Sequence, residues 1–213
     1  MKKFNFLTLL LLLPIALGAY VAFFEDKFYE FEKAVFSALR TVAPAMDIPA
    51  RAITELGSAV GVISITAIIL IVTIIKKKYF FTFGLPVAIT SIVSRIINIT
   101  AKNLIDRERP DFKVMHASES SFPSGHSQNN MALYIAILLV ALLIDLAPKW
   151  KFTLKISLVA LPILIGVTRI YFGVHYVSDV IAGFGIGAMV AILTHYIYFK
   201  IYYAVKEKKN AEN

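Results

Sequence analysis

SAVGVISITAIILIVTIIKKK, residues 58–78, settles which solvent this chain folds in: eighteen residues without a charge run into three consecutive lysines. In a helix that rises 1.5 Å per residue, such a run covers ~27 Å, close to the ~30 Å hydrocarbon core of a bilayer. Working outward, five further stretches have the same character: 4–24, 79–101, 129–147, 152–169 and 177–199. With 58% hydrophobic residues and a positive mean hydropathy over 213 positions, the chain is too apolar for an ordinary soluble domain. The expected fold class is all-α: an integral membrane bundle of six transmembrane helices, with 1–213 forming a single domain.

The net charge of +8 raises nucleic acid as a partner, but its distribution points elsewhere. Threading six spans with Lys2 and Lys3 inside puts twelve lysines at the inner ends against Asp145, Glu207 and Glu212, whereas the outer segments hold nine cations against eleven acids. This is the positive-inside asymmetry of a plasma-membrane protein, and it accounts for the charge with the bilayer as partner and no nucleic acid. There is no cysteine, so disulfides, thiolate ligands and thiol nucleophiles are excluded. Met1-Lys2-Lys3 followed by an apolar run through Phe24 reads as an uncleaved signal anchor, although Ala16 and Gly18 would also suit a cleavage point. Over 27–46, Phe28, Phe31, Val35, Phe36, Leu39 and Val42 recur at helical spacing with charges elsewhere on the wheel. That pattern predicts an amphipathic helix on the outer surface, which either covers span ends or borders a lateral entrance for lipid. Pro44 and Pro49 break the pattern before the second span.

Between two of the apolar runs lies KNLIDRERPDFKVMHASESSFPSGH, residues 102–126. The third span is expected to stay helical to about Glu108, since Pro110 disfavours helix at the residue before it, so that Lys102 and Arg109 fall near one face. Arg95 lies on that face roughly 10 Å deeper; it snorkels, pairs with Asn98, or lines the floor of a polar site, because a charge at that depth must reach protein or water. Pro162 and Gly166 suggest a kink in the fifth span, and Gly183 and Gly187 a close helix contact within the chain. Threading brings Lys102, Arg109, Ser124, His126, Arg169, His175 and Asp179 to the outer ends of the third to sixth spans.

Such a set suits a phosphate: Arg109 and Arg169 as planar forks, Lys102 as a point charge, and the backbone N–H groups of Ser124 to His126 at a helix start. His175, with Asp179 four residues on to fix its tautomer, is the candidate nucleophile, and His126 the candidate general acid. Asp106, Arg107, Glu108 and Asp111 read as solvated charges or loop hydrogen-bonding groups. His116 is a solvated loop residue or a substrate contact. His195, twenty residues past His175 and hence ~30 Å away along a helix, is excluded. A metal held by His116, His126 and a carboxylate would follow no familiar ligand spacing, so neither metal nor cofactor is expected.

KNLIDRERP, FPSGHS and TRIYFGVHYVSD resemble the three signature motifs of the type 2 phosphatidic acid phosphatase family. Lys102, Arg109 and Pro110 match its first motif, Pro123 to His126 its second, and Arg169, His175 and Asp179 its third; Thr168 stands where serine is usual and keeps the hydroxyl. The resemblance covers residues 95–185. It implies metal-independent dephosphorylation of a membrane lipid phosphate through a phosphohistidine on His175, with Lys102, Arg109, Ser124, Gly125 and Arg169 holding the phosphate. Phosphatidylglycerol phosphate, phosphatidic acid, a polyprenyl pyrophosphate such as undecaprenyl pyrophosphate, and lipid A all present such a group at headgroup level. Two other readings stay open. Vanadium haloperoxidases share the constellation but resemble soluble bundles, and a lipid-binding or transport protein would not need the second histidine or Asp179.

Overall fold

The computed structural model describes residues 2–117, 119–143 and 147–212, the side chains of 2–11 and 25 excepted; Asp145, one of the inner-end acids, lies outside them. Among the described residues the chain is helical without strands: α1 (Lys2–Phe23), α2 (Glu25–Arg40), α3 (Asp47–Leu56), α4 (Ala59–Ile75), α5 (Leu85–Ile105), α6 (Gly125–Ala141), α7 (Pro148–Tyr171) and α8 (Val177–Ala211). The starts follow local chemistry. Ser58 caps α4 by accepting from Gly61 N at 3.1 Å, Ser124 caps α6, and Pro86 and Pro148 occupy first-turn positions where no N–H is needed. A π-helical turn, Phe80–Gly84, leads into α5.

Three helical stretches, Phe80–Ile105, Pro148–Tyr171 and Val177–Ala211, are long and apolar enough to cross a membrane, and α3 with α4, bent by 49°, forms a fourth as a pair. The other two expected spans fall in α1 and in the 17-residue α6. The molecule is an all-helical, multi-pass membrane bundle.

Two expectations about the outer segments need correction. The helix expected over 27–46 is shorter: α2 runs from Glu25 to Arg40, and after a turn a further helix, α3, starts at Asp47. Pro49 does not break it, because it is the third residue of α3, where the N–H has no helical partner anyway. The third span ends at Ile105 rather than near Glu108, with Asp106 in the left-handed region at φ 45°. Aspartate tolerates that conformation better than most residues, and it turns the chain back over the bundle. Arg107 and Arg109 therefore approach from a loop and not from the helix face that carries Lys102.

Helix α6 sits at the centre, with most of its residues buried, and packs on α5, α7 and α8. Val62, Val87, Leu133, Ala136, Val140, Ala191 and Phe199 form the apolar core of the bundle. Contact between α6 and α8 is close because of the two glycines seen in the sequence. A Cβ on Gly183 would lie 2.9 Å from Ser124 O, and one on Gly187 would collide with Gln128 O. At one end the interior of α6 turns polar. Gln128, Asn129 and Asn130 are buried and bonded across to neighbouring helices: Asn129 Oδ1 accepts from Ser94 Oγ at 2.8 Å, Gln128 Nε2 donates to Ser94 O at 2.9 Å, and Asn130 Nδ2 donates to Gly57 O at 2.8 Å. Such groups persist in a membrane bundle only where they face the interior and find partners.

The amphipathic α2 covers this end. Phe36 packs on Phe112 with ring centroids 4.7 Å apart, and Tyr29 Oη donates to Asp111 at 2.9 Å. Glu32, only 2% exposed, accepts from Val177 N at 2.6 Å and Ser178 N at 3.2 Å and so caps α8. Of the two roles expected for this segment, covering span ends is the one seen.

Candidate active site

A cavity of about 570 Å³ opens between α4 and α5 and runs up to the polar end of the bundle. Its walls divide chemically. Val62, Ile63, Leu70, Ile92 and Ile96 make an apolar slot, whereas Lys102, Arg109, His126, Arg169 and His175 close the far end. Three cations at the far end, Lys102, Arg109 and Arg169, outnumber the single carboxylate there, Glu119, and in a site walled by low-dielectric protein they make a strong receptor for an anion.

Each cation is held differently. Lys102, 7% exposed at the end of α5, donates its Nζ to Ser120 O. Arg109 comes from the loop and donates Nε to Glu119 O at 2.5 Å and Nη1 to Val174 O at 2.6 Å; burial lowers its pKa, yet a guanidinium stays cationic. Arg169, 6% exposed near the end of α7, donates Nη1 to Thr54 Oγ1 at 2.7 Å, while its buried Nε has no hydrogen-bond partner among the described residues. A buried donor without a partner is costly, and Arg169 lines the cavity, so this N–H is available to an anion there.

His175 lies at the mouth of α8, 3% exposed, with the two nitrogens of its ring in different company. Nδ1 is 3.4 Å from Asp179 Oδ2, and Nε2 is 3.3 Å from Arg109 Nη1. A proton on Nδ1, held by the carboxylate, leaves the Nε2 lone pair on the cation side. Burial pushes the His175 pKa down to about 4, outweighing the Asp179 carboxylate, which pulls it upward; the ring is neutral at pH 7.

Asp179 is fully buried and lies behind the histidine rather than in the cavity. Its Oδ2 accepts from Tyr176 N at 3.0 Å and from Ser121 Oγ, and its Oδ1 is paired with Arg107 Nη1 at 2.6 Å. Arg107 and Ser121 are the functional neighbours that sequence reasoning missed. Arg107, read as a solvated charge or a loop hydrogen-bonding group, is the second of these: it is 7% exposed, also donates to Ser178 Oγ at 2.9 Å, and lies over the Tyr176 ring at 4.0 Å. The available signal was the buried carboxylate itself, since an ionised Asp179 among apolar helices needs a cation.

Of the second motif, Gly125 and His126 line the cavity, whereas Ser124 does not: it is fully buried, and its Oγ accepts from Ser127 Oγ at 2.9 Å and Ser127 N at 3.4 Å. Ser124 N donates to Asp179 O at 3.1 Å, which ties the second motif to the third. A Cβ on Gly125 would lie 2.9 Å from Asn98 Oδ1, so glycine lets α6 begin against α5. The Thr168 hydroxyl bonds its own helix at Ile165 O, 2.6 Å away. His116 is exposed and outside the cavity, and His195 stacks on Phe199 at 4.6 Å, equally outside it. Among the described residues no three imidazole or carboxylate groups gather as metal ligands would.

The profile of the PAP2 superfamily matches residues 78–203. Phosphatidylglycerophosphatase B of Bacillus subtilis is 40% identical over 52% of this chain and 55% of its own length. A lipid A 1-phosphatase of Rhizobium etli is 33% identical over 58% of this chain and 53% of its own. The chain thus spans about half the length of the curated relatives it matches. Among solved structures, a transmembrane PAP2-type phosphatidylglycerolphosphate phosphatase from Bacillus subtilis superposes with a TM-score of 0.80 at 29% identity, covering 91% of this chain and 96% of that one. Aquifex aeolicus LpxE shares the fold at a TM-score of 0.59 and 23% identity, over 76% of this chain and 92% of that one.

Proposed function

The chain belongs to the PAP2 superfamily, and from that premise we propose that it is a lipid phosphatase that removes phosphate from a membrane lipid phosphate through a phosphohistidine, with no metal. One observation carries the reading: a single cavity joins three cations and a neutral, carboxylate-backed histidine to an apolar slot between two membrane helices. Such a shape suits an amphiphile whose phosphate enters the polar end while its tails remain among Ile63, Leu70, Ile92 and Ile96.

In the mechanism, Lys102, Arg109, Arg169 and the N–H groups at the start of α6 neutralise the phosphate oxygens, which is the main contribution a protein makes to phosphoryl transfer. His175 Nε2 attacks phosphorus in line, an N–P bond forms, and the bond from phosphorus to the lipid oxygen breaks. His126 gives that oxygen its proton, and Asp179 stabilises the positive charge on the ring. Water then attacks the phosphohistidine while His126 takes back a proton, releasing inorganic phosphate and restoring Nε2. The roles of His175, His126 and Asp179 as catalytic groups, and of Lys102, Arg109, Ser124, Gly125 and Arg169 in phosphate binding, are supported by their convergence on one end of the bundle. For Ser124 that support is indirect, through the helix start it caps.

Phosphatidylglycerol phosphate is the leading substrate, in line with the names of the Bacillus subtilis relative and solved structure, with phosphatidic acid, lipid A and undecaprenyl pyrophosphate as the alternatives. The positive-inside distribution supports a polar end on the extracytoplasmic face of the plasma membrane, with 1–213 acting as one phosphatase domain. The test is phosphate release by the purified full chain in detergent micelles containing these lipids in turn. Release abolished by His175→Ala, together with an acid-labile phosphoenzyme in the wild type, is the expected result. No release from any lipid phosphate would refute the reading.

A further inference from the structure

Arg95 is the charge that the phosphate site does not use. It lies on α5 seven residues before Lys102, which is two turns along the same face and roughly 10 Å deeper at 1.5 Å per residue. Its side chain is exposed and lines the same cavity, between Ile92 and Ile96 and opposite the apolar wall of α4. Among the described residues it has no hydrogen-bond or ion-pair partner. Asn98, the pairing open to it in sequence, does not meet it: Oδ1, the one atom of that side chain able to accept from an arginine, has no partner among the described residues, and Nδ2 donates to Gln128 Oε1 at 3.0 Å and Pro123 O at 3.3 Å. An arginine at membrane depth is costly and tends to mark a ligand path. Here it faces the part of the cavity that the substrate's linker and tails must occupy.

We propose that Arg95 binds a second anionic group of the substrate, a phosphodiester on the tail side of the scissile phosphate, and so selects phosphomonoester lipids that carry such a group. This rests on the lipid-phosphatase reading above. The spacing picks out the class. Two phosphorus atoms joined through a three-carbon linker are six bonds apart, ~7 Å when extended, since three backbone bonds span ~3.8 Å. With a monoester held by Lys102, Arg109 and Arg169, a diester that far along the slot comes within reach of a guanidinium whose Cα is ~10 Å deeper than that of Lys102. The second phosphorus of a lipid diphosphate is only two bonds away and stays with the upper cations, and phosphatidic acid offers nothing but neutral esters at that depth. Arginine's planar fork matches two oxygens of a diester, which a lysine would meet as a point charge only.

The experiment uses the purified full chain in mixed micelles, with phosphatidylglycerol phosphate, phosphatidic acid and a lipid diphosphate of matched chains. Arg95→Gln should lower kcat/KM on phosphatidylglycerol phosphate roughly ten- to hundred-fold, the range for a lost hydrogen bond to a charged group. The loss should appear in KM, with phosphatidic acid and the diphosphate within about twofold of wild type on the same principle, and Arg95→Lys should recover part of it. Phosphatidylglycerol, which keeps the diester, should inhibit wild type and inhibit the Gln variant correspondingly less, whereas diacylglycerol should not distinguish them. Equal losses on all substrates, no loss, or a loss confined to the diphosphate would overturn the assignment. A wild type inactive on every lipid would sink the phosphatase reading itself and this inference with it, whereas an active wild type with a substrate-blind Arg95→Gln would sink this inference alone.

Discussion

Replacing Arg107 with Gln should damage the enzyme as severely as a change in the cavity wall, although Arg107 does not line the cavity. Arg107 and Asp179 form an ion pair at 2.6 Å with side chains 4% and 0% exposed. Removing one member of such a pair costs about 3–5 kcal/mol, because the other charge is left buried without compensation. Asp179 retains the Ser121 hydroxyl and the Tyr176 N–H, so the loss should fall near the lower end, ~3 kcal/mol. At ~2–4 °C per kcal/mol for a chain of this size, the unfolding temperature should drop by roughly 6–12 °C. Turnover should fall by up to ~10²-fold, since a carboxylate pulled off line misplaces the His175 ring. The assay is thermal unfolding in detergent alongside phosphate release. Arg107→Met combined with Asp179→Asn removes both charges and should restore most of the stability but not the turnover. An Arg107→Gln protein that melts and turns over like wild type would refute the argument that this pair holds the histidine.

The two histidines separate by leaving group: His126→Ala should lose ~10²–10⁴-fold on a lipid monoester, the usual worth of a general acid, and much less on p-nitrophenyl phosphate, while His175→Ala should lose both alike. The pH profile follows from the depressed His175 pKa: after correction for substrate ionisation, the acidic limb of kcat/KM should lie near pH 4, where Nε2 takes a proton, and an acidic limb at the ordinary imidazole value of 6.5 would contradict the burial argument. Stability has the same sign, because a histidine buried neutral contributes fully above the unfolded value of 6.5 and loses that contribution progressively as pH falls toward 4. Glu32→Gln should cost ~1–2 kcal/mol by weakening the cap on α8, read as a lower unfolding temperature with faster amide exchange at Val177 and Ser178. A cysteine at Lys113, in a chain with no native cysteine, should be labelled from outside intact cells and one at Lys77 protected; the reverse would invert the orientation.

Solvent, helical class and the gathering of polar residues at one end are legible residue by residue in the sequence alone. Runs such as 58–75 are apolar for longer than a soluble core requires, and the lysine asymmetry between their ends is additive along the chain. The motif residues Lys102, Arg109, His126, Arg169 and His175 meet in one cavity because each lies within a few residues of a span end, and span ends on one face of a membrane have little choice of neighbours. Tertiary structure decides the rest. The left-handed Asp106 turns the loop back, and only that reversal makes Arg107 a buried partner of Asp179 instead of a surface charge. Pro49 lies in the first turn of α3 where the sequence pattern suggests a break, and α3 supplies the Thr54 that holds Arg169. Glu32 is one more polar residue on an amphipathic wheel until α8 begins beneath it. In each case the identity of a charge is local, but its burial and partner depend on chain segments 72, 115 and 145 residues away, and no window along the sequence carries that information.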